Sequence, residues 1–466
     1  MKVDVAILGA GSGGEMLASL LGAQGMSVGI IEENLVGGEC PFYACMPSKA
    51  MLRSAAIRFY AQHTMDVGAS SIPLQLDDRK QAFAAAVKRR EGICDNHKDN
   101  AKEQNLVDLG VKVIRGHGVI SSAGVLTVAS KEILYTHLVI STGSVPSIPP
   151  IPGLEDVNYW TTDKALTSEY LPDSLIVIGG GPAGCELAQI YSRFGTNVTL
   201  IEPAKNLIFK EENLISLELE GFFRREGIEV ILETPIIEVT KTDQGKSKVE
   251  LKDGRVFTAD QLLVSTGRTP NTKGLGLESL GVKVKESGAV DIDSHCRING
   301  DTNLWACGDV AGIAPFVHTA NYQARIIAEG ILGRDRQANY EAIPRAVYTS
   351  PSVASVGMSY KDALAAGVSA ITSNFNLKNT SRNAVDGEAG GLLILTADKQ
   401  SRTIIGAAAI GPHADEWISE AALAIRAKIP LDTLADVVHA FPTYGEAYEQ
   451  PIRDLLGACL EQDLAP

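Results

Sequence analysis

Val3-Asp4-Val5-Ala6-Ile7-Leu8-Gly9-Ala10-Gly11-Ser12-Gly13-Gly14 runs from an apolar segment straight into a cluster of glycines. Val3 to Leu8 reads as a buried strand, and a helix-like pattern follows the glycines to near Gly25. A second strand, Ser27 to Ile31, ends on Glu32. Gly9 and Gly11 let the backbone turn tightly and approach a pyrophosphate, Gly14 lets helix and strand pack closely, and the helix N-terminus favours negative charge. Glu32 suits a pair of ribose hydroxyls.

One such motif in a glycine-rich chain is a weak signal, but this one recurs. Leu175 to Ile178 leads into Gly179-Gly180-Gly181-Pro182-Ala183-Gly184, then a helix-like stretch, the strand Asn197 to Ile201, and Glu202. Gly9 to Glu32 and Gly179 to Glu202 are both 23 residues apart. Two units of equal spacing imply two dinucleotide-binding domains. Each copy has a later partner strand, Leu138-Val139-Ile140-Ser141-Thr142-Gly143 for the first and Leu262-Leu263-Val264-Ser265-Thr266-Gly267 for the second. The proline-rich Val145 to Pro152 reads as a crossover that places a boundary near residue 150. Leu304 to Cys307 is another strand-like run, and the Gly308-Asp309 turn after it can raise a carboxylate to a cofactor. Beyond about residue 340 the strand-like runs Ala346 to Thr349, Leu392 to Thr396 and Ile404 to Ile410 alternate with helix-like Tyr360 to Ala366 and Ala414 to Ala427. That part reads as a separate α+β unit.

The 466-residue length suits about three domains. A net charge of −14 repels nucleic-acid phosphates and anionic lipid, so neither is an expected partner. No apolar run reaches the roughly 18 to 20 residues of a membrane span, and Asp4 interrupts the N-terminal apolar stretch, so the chain reads as cytoplasmic. Seven cysteines, an odd number, argue against a disulfide framework. Cys94, Cys185, Cys296 and Cys307 lack metal-ligand spacing, and no metal site is expected.

Gly37-Gly38-Glu39-Cys40-Pro41-Phe42-Tyr43-Ala44-Cys45-Met46-Pro47-Ser48-Lys49 follows Glu32 closely and precedes a helical stretch to about Gln62. Cysteines five apart on the first turns of a distorted helix can close a small disulfide, and a helix N-terminus stabilises a thiolate. This segment, with Gly179 to Gly184, Thr142-Gly143 and Gly308-Asp309 in the same chain, resembles the pyridine nucleotide-disulfide oxidoreductases, the family of dihydrolipoyl dehydrogenase, glutathione reductase and mercuric reductase.

The resemblance implies an α/β architecture: two Rossmann-like domains, one for FAD and one for NAD, plus a C-terminal α+β dimerisation domain. The expected bounds are 1–150 and 273–340 for the two parts of the FAD domain, 151–272 for the NAD domain and 341–466 for the interface domain of a homodimer. Cys45 would be the thiolate against the flavin and Cys40 the outer thiol that meets the substrate. Lys49, one helical turn beyond Cys45, would lie by the flavin N5 edge with Glu186 as its counter-charge. Gly9, Gly11, Gly14, Glu32, Gly38, Gly118, Thr142, Gly143, Asp309 and Val317 would hold FAD. Gly179, Gly181, Gly184, Glu202 and Gly267 would hold the nicotinamide dinucleotide. Glu202 would repel a 2′-phosphate, which favours NADH over NADPH, with Lys205 the one nearby cation that softens the repulsion.

The pattern breaks near the C-terminus. Relatives that exchange thiols with a disulfide carry His-Pro-Thr-x-x-Glu there, whereas this chain reads His439-Ala440-Phe441-Pro442-Thr443-Tyr444-Gly445-Glu446. Phe441 cannot shuttle protons, Glu446 is kept, and His439 and Tyr444 are the neighbouring candidates for the acid/base. The same departure, with Cys40-Pro41 and Ala44-Cys45, resembles 2-ketopropyl-coenzyme M oxidoreductase/carboxylase, although that enzyme has a histidine in place of Glu446. The extra C-terminal cysteine pair of mercuric reductase is missing, and a lone Cys459 reads as packing. The acceptor is therefore left open between a small or protein-bound disulfide and another electrophile: a quinone, a metal ion or a ketone. A reading of another class is a flavoprotein subunit whose catalysis has decayed.

Overall fold

The computed structural model describes residues 1–388 and 390–463, so the last three residues of the expected 341–466 domain lie outside the described residues. The chain divides into two compact units, each described by itself.

The first unit comprises Met1–Pro47, Lys88–Ser147 and Gly267–Asn339. Its centre is a parallel sheet with the strand order Leu304–Ala306, His137–Ile140, Val5–Leu8, Val28–Glu32, Lys112–Arg115. Val5, Ala6, Ile7 and Leu8 are all buried, as a strand covered on both faces must be. One face carries the helices Ser12–Gly22 and Val317–Ile331, whose Leu17, Leu21, Ala324 and Ile327 share a core with Ile7, Ile30 and Trp305. The other face is closed by an antiparallel meander, Gly118–Ser122, Val125–Val128 and Lys131–Leu134.

The second unit comprises Ser48–Val87, Ile148–Thr266 and the chain from Tyr340 onward. It repeats the plan: a parallel sheet in the order Glu229–Leu232, Asn197–Glu202, Ser174–Ile178, Gln261–Val264, Tyr159–Trp160, and a meander of Ile236–Lys241, Ser247–Leu251 and Val256–Ala259. The same unit holds an antiparallel sheet, Arg345–Val347, Ser352–Gly357, Thr403–Gly411, Leu392–Asp398 and Ala370–Asn376, backed by Ser419–Ala427 and Glu449–Asp463.

Three local expectations are corrected. Ser48–Val87 packs with the second unit, because Met51, Leu52, Ala55 and Phe83 join the core of Leu187, Ile190 and Phe194. The stretch expected as one helix from Ala414 to Ala427 is two, Ala414–Trp417 and Ser419–Ala427, meeting at Ile418. Val145 to Pro152 is not all connection: Ser144–Pro146 pairs with Arg268–Pro270 as a short antiparallel ladder, where a proline at an edge is tolerated. Among the described residues no helix is long and apolar enough to cross a membrane.

Candidate active site

The two glycine clusters have the same geometry. Gly9 and Gly179 turn the chain with φ of +96° and +108°, and a Cβ on either would come within 2.4 Å and 2.3 Å of the carbonyl oxygens of Ser141 and Ser265. A Cβ on Gly14 would meet the Gly9 oxygen at 2.0 Å, and one on Gly184 the Gly179 oxygen at 1.9 Å. By contrast a Cβ on Gly11 or Gly181 would meet nothing within 4 Å. These two glycines stand at the N-caps of Ser12–Gly22 and Pro182–Arg193, and no side chain caps either helix. Uncapped amides with open space before them are what a pyrophosphate needs.

Glu32 and Glu202 close the turns from behind. Glu32 accepts from the amides of Ala10 and Asn34, each at 2.7 Å, and Glu202 from those of Gly180 at 2.7 Å and Ala204 at 2.8 Å. Burial pushes the Glu32 carboxyl up, opposed by the two amide hydrogen bonds. Each acid thus shapes its glycine turn through both of its oxygens.

Cys40 and Cys45 are both half-buried and lie on two helices, not on one distorted one: Glu39–Phe42 ends at Tyr43, where φ is −126°, and Cys45 opens Cys45–Gln62. Gly38, with φ +67°, sits so close to the first fingerprint that its Cβ would be 2.8 Å from the Gly11 Cα. The cysteine segment therefore packs backbone to backbone on the first glycine turn. Gly118 serves packing too, since a Cβ there would come 2.5 Å from Leu8 Cδ2.

Asp309 accepts from Ser144 Oγ at 2.6 Å; Arg268 donates Nε to Ser144 Oγ at 2.7 Å and Nη2 to Ser144 O and Glu39 Oε2, each at 2.6 Å. The residue before Cys40 is thereby linked to the carboxylate expected at the cofactor. Sequence reading missed Ser144, Arg268 and Glu39, although each adjoins a motif: Ser144 after Thr142-Gly143, Arg268 after Gly267, Glu39 before Cys40. Thr142 Oγ1 donates to Asn271 O at 2.6 Å, and Gly143 faces open space, as does Gly267. Val317 opens a helix on which Thr319 Oγ1 is buried with no hydrogen-bond partner, an atom that a bound group can satisfy. Together with the open Gly11 turn, this donor set fits FAD in the first unit.

In the second unit Lys49 and Glu186 form an ion pair, with Nζ 2.9 Å from Oε2 and 3.1 Å from Oε1. Glu186 is buried and also accepts from Ser48 Oγ at 2.6 Å and Tyr348 N at 3.0 Å, while the Lys49 ammonium lies 4.4 Å from the Tyr348 ring centroid. Ser48 and Tyr348, through its amide and its ring, therefore hold the pair together, and neither contact was legible beforehand.

The C-terminal candidates are otherwise engaged. His439 Nε2 is 3.0 Å from Glu420 Oε1 and its Nδ1 3.5 Å from Glu449 Oε1. Tyr444 is buried and donates to Asp386 at 3.2 Å; burial first, then the Asp386 charge, push its pKa well up, so it holds its proton. Glu446 accepts from the Thr443 amide at 2.9 Å. Phe441 is 74% exposed on the single chain, so its own subunit does not pack it away. Cys459 is buried in the C-terminal core.

A family model for pyridine nucleotide-disulphide oxidoreductases matches residues 3–324, and its dimerisation-domain model matches residues 343–452. The chain is 33% identical over 453 residues to a mercuric reductase of Streptomyces lividans, covering 95% of this chain and 94% of that protein. It is 30% identical over 470 residues to a dihydrolipoyl dehydrogenase of Geobacillus stearothermophilus, covering 98% and 97%. In structure it is similar to the HOCl-induced flavoprotein disulfide reductase RclA of Escherichia coli, with a TM-score of 0.85 at 25% identity over 97% of this chain and 99% of that one. Two cradles of one design, a cysteine segment laid on the first and a dimerisation domain after the second place this chain in the pyridine nucleotide-disulphide oxidoreductase family, as an enzyme that works with FAD and a nicotinamide dinucleotide.

Proposed function

We propose that the chain is a cytoplasmic homodimeric NADH-dependent reductase in which Cys40 and Cys45 form a redox-active disulfide that passes electrons to a disulfide acceptor. The observation that carries this reading is the contact of Gly38 with Gly11, which ties the cysteine segment to the phosphate turn of the first cradle. Bound FAD supplies two-electron transfer between a nicotinamide and a disulfide.

The chain's own residues do the rest. Gly181 and the open helix start behind it hold the NADH pyrophosphate, and Glu202, already orienting the turn, disfavours a 2′-phosphate. Glu186 keeps the Lys49 ammonium in place. The N-terminus of Cys45–Gln62 stabilises Cys45 as a thiolate. Cys40, as a thiolate, attacks one acceptor sulfur and expels the other as a thiolate; Cys45 then attacks the Cys40 sulfur of the mixed disulfide, releasing the second acceptor thiolate and re-forming the Cys40–Cys45 disulfide. Phe441 holds no proton, so interchange with dihydrolipoamide or glutathione lacks an aid usually worth about 10² to 10⁴ in rate.

That deficit supports a second reading, reduction of an electrophile such as a quinone, a metal ion or a ketone that needs no acid/base at this position. Anaerobic NADH titration tests the core of the proposal: the wild type should develop a long-wavelength thiolate-to-flavin absorption band, and Cys45→Ser should lack it. A wild type that bleaches without such a band would sink the cysteine assignment. An acceptor panel with Phe441→His then separates the two readings, because only disulfide turnover should rise.

A further inference from the structure

Tyr43 stands in the loop between the two cysteines, and its ring is stacked on the imidazole of His97, with centroids 5.2 Å apart and planes at 14°. His97 Nε2 is 2.9 Å from Glu91 Oε2. The other oxygen of Glu91 accepts Arg90 Nε at 2.8 Å and Nη2 at 2.6 Å, and the Arg90 side chain is 1% exposed. A guanidinium thus orients a carboxylate, the carboxylate orients an imidazole, and the imidazole lies flat on the tyrosine between the two helices that carry the sulfurs. With Nε2 turned to Glu91, the other ring nitrogen, Nδ1, is buried and has no hydrogen-bond partner.

The backbone adds a second sign that this turn is built for a purpose. Asp95, Asn96 and His97 take φ of +51°, +49° and +57° in succession, and three consecutive left-handed residues without a glycine are strained. The turn packs against Glu39–Phe42, the short helix that bears Cys40. The neighbouring thiol is no rival for Cys40, because burial, with the Glu91 charge adding, pushes Cys94 up to about 11.

We propose that the Arg90–Glu91–His97 chain is a positioning device for the cysteine loop: by holding His97 face to face with Tyr43 it sets the reactivity of the outer thiol, Cys40. The inference rests on the reading of Cys40 and Cys45 as the redox pair. His97, Glu91 and Arg90 are positioning residues in it, acting through Tyr43.

The test is the rate at which iodoacetamide alkylates Cys40 in the NADH-reduced, FAD-loaded protein, followed by peptide mass spectrometry, with flavin content and the long-wavelength band of Cys45 recorded beside it. His97→Ala should slow Cys40 alkylation about two- to tenfold, the range of one aromatic stacking contact, with flavin content and band kept. Glu91→Gln, which preserves shape, should act in the same direction. Tyr43→Ala combined with His97→Ala should fall no further than the slower single variant, since both remove one contact. Unchanged Cys40 rates in His97→Ala and Glu91→Gln would overturn the proposal, as would a parallel loss of flavin or of the Cys45 band, which marks a merely structural role. A wild type in which NADH exposes no alkylatable Cys40 would instead remove the underlying reading, and this one with it.

Discussion

The two glycine fingerprints are near copies in backbone, yet the chain beyond each acid takes a different course. After Glu32 it runs through Gly37 and Gly38 into the cysteine segment, laid on Gly11. After Glu202 it runs through Ala204 and Lys205 to an exposed Phe209, with no reactive group on the turn. The cradle is the shared part; the segment after the second strand is where the two units part, and under the proposed function it is what would give the first unit its chemistry. The acids differ as well: Glu32 is 8% exposed with a raised pKa, while Glu202 is half-buried.

Gly14→Ala and Gly184→Ala would break this comparison most severely. Each Cβ would strike a carbonyl oxygen, at 2.0 Å or 1.9 Å, a clash that the backbone must relieve at a cost of about 1–3 kcal/mol or more. The expected outcomes part by cradle: Gly14→Ala should purify with little or no yellow colour, whereas Gly184→Ala should hold FAD but resist reduction by NADH. Absorbance of the purified protein and stopped-flow reduction measure the two. Equal loss of flavin in both would mean that the units are not functionally separate.

Phe441→His comes next in size. The side chain is 74% exposed on the single chain, so the stability of the subunit should stay within about 0.5 kcal/mol, while disulfide turnover rises by about a hundredfold, the lower end of what a placed acid/base supplies. Unchanged turnover with every disulfide tried would leave the second reading.

The acids then offer a finer comparison. Glu32→Gln and Glu202→Gln each keep the shape but turn one accepting oxygen into a donor, so one backbone amide at each turn loses its partner, and the buried site should lose more stability, about 1–3 kcal/mol against about 1 or less, as read by chemical denaturation. Glu202→Gln should also narrow the preference for NADH over NADPH in a comparison of kcat/KM. A preference that stays put would show that Lys205 or another group decides it.

The smallest effect is a reactivity contrast. Burial pushes the Cys94 and Cys307 thiols up to about 11, so the thiolate fraction is minute at neutral pH and grows only as pH nears that value. Native alkylation of the reduced protein at pH 7 should therefore mark Cys40 and spare both. Appearance of label on Cys307 at pH 7 would show that its core opens readily.

Much of this was legible from one dimension because backbone chemistry is local. A strand that must turn at once into a helix around a phosphate needs glycines at set offsets, and Gly9-x-Gly11 and Gly179-x-Gly181 declare themselves within a dozen residues each. The cysteine segment is equally local. The meanders Gly118–Ser122 to Lys131–Leu134 and Ile236–Lys241 to Val256–Ala259 escaped notice, since short antiparallel strands between motifs carry no fingerprint of their own.

By itself, then, the sequence determined the doubled cradle, the cysteine spacing and the phenylalanine at 441, all properties of contiguous residues. Only the tertiary structure decided that Arg268 and Ser144 join Glu39 to Asp309, that Ser48 and Tyr348 share Glu186, and that Arg90, Glu91 and His97 bear on Tyr43. It also committed His439 to Glu420 and Glu449. The physical reason is range: a hydrogen bond or stacked pair selects its partner by distance in space, and residues that carry no shared local motif, many of them more than a hundred positions apart, meet only after the core has closed.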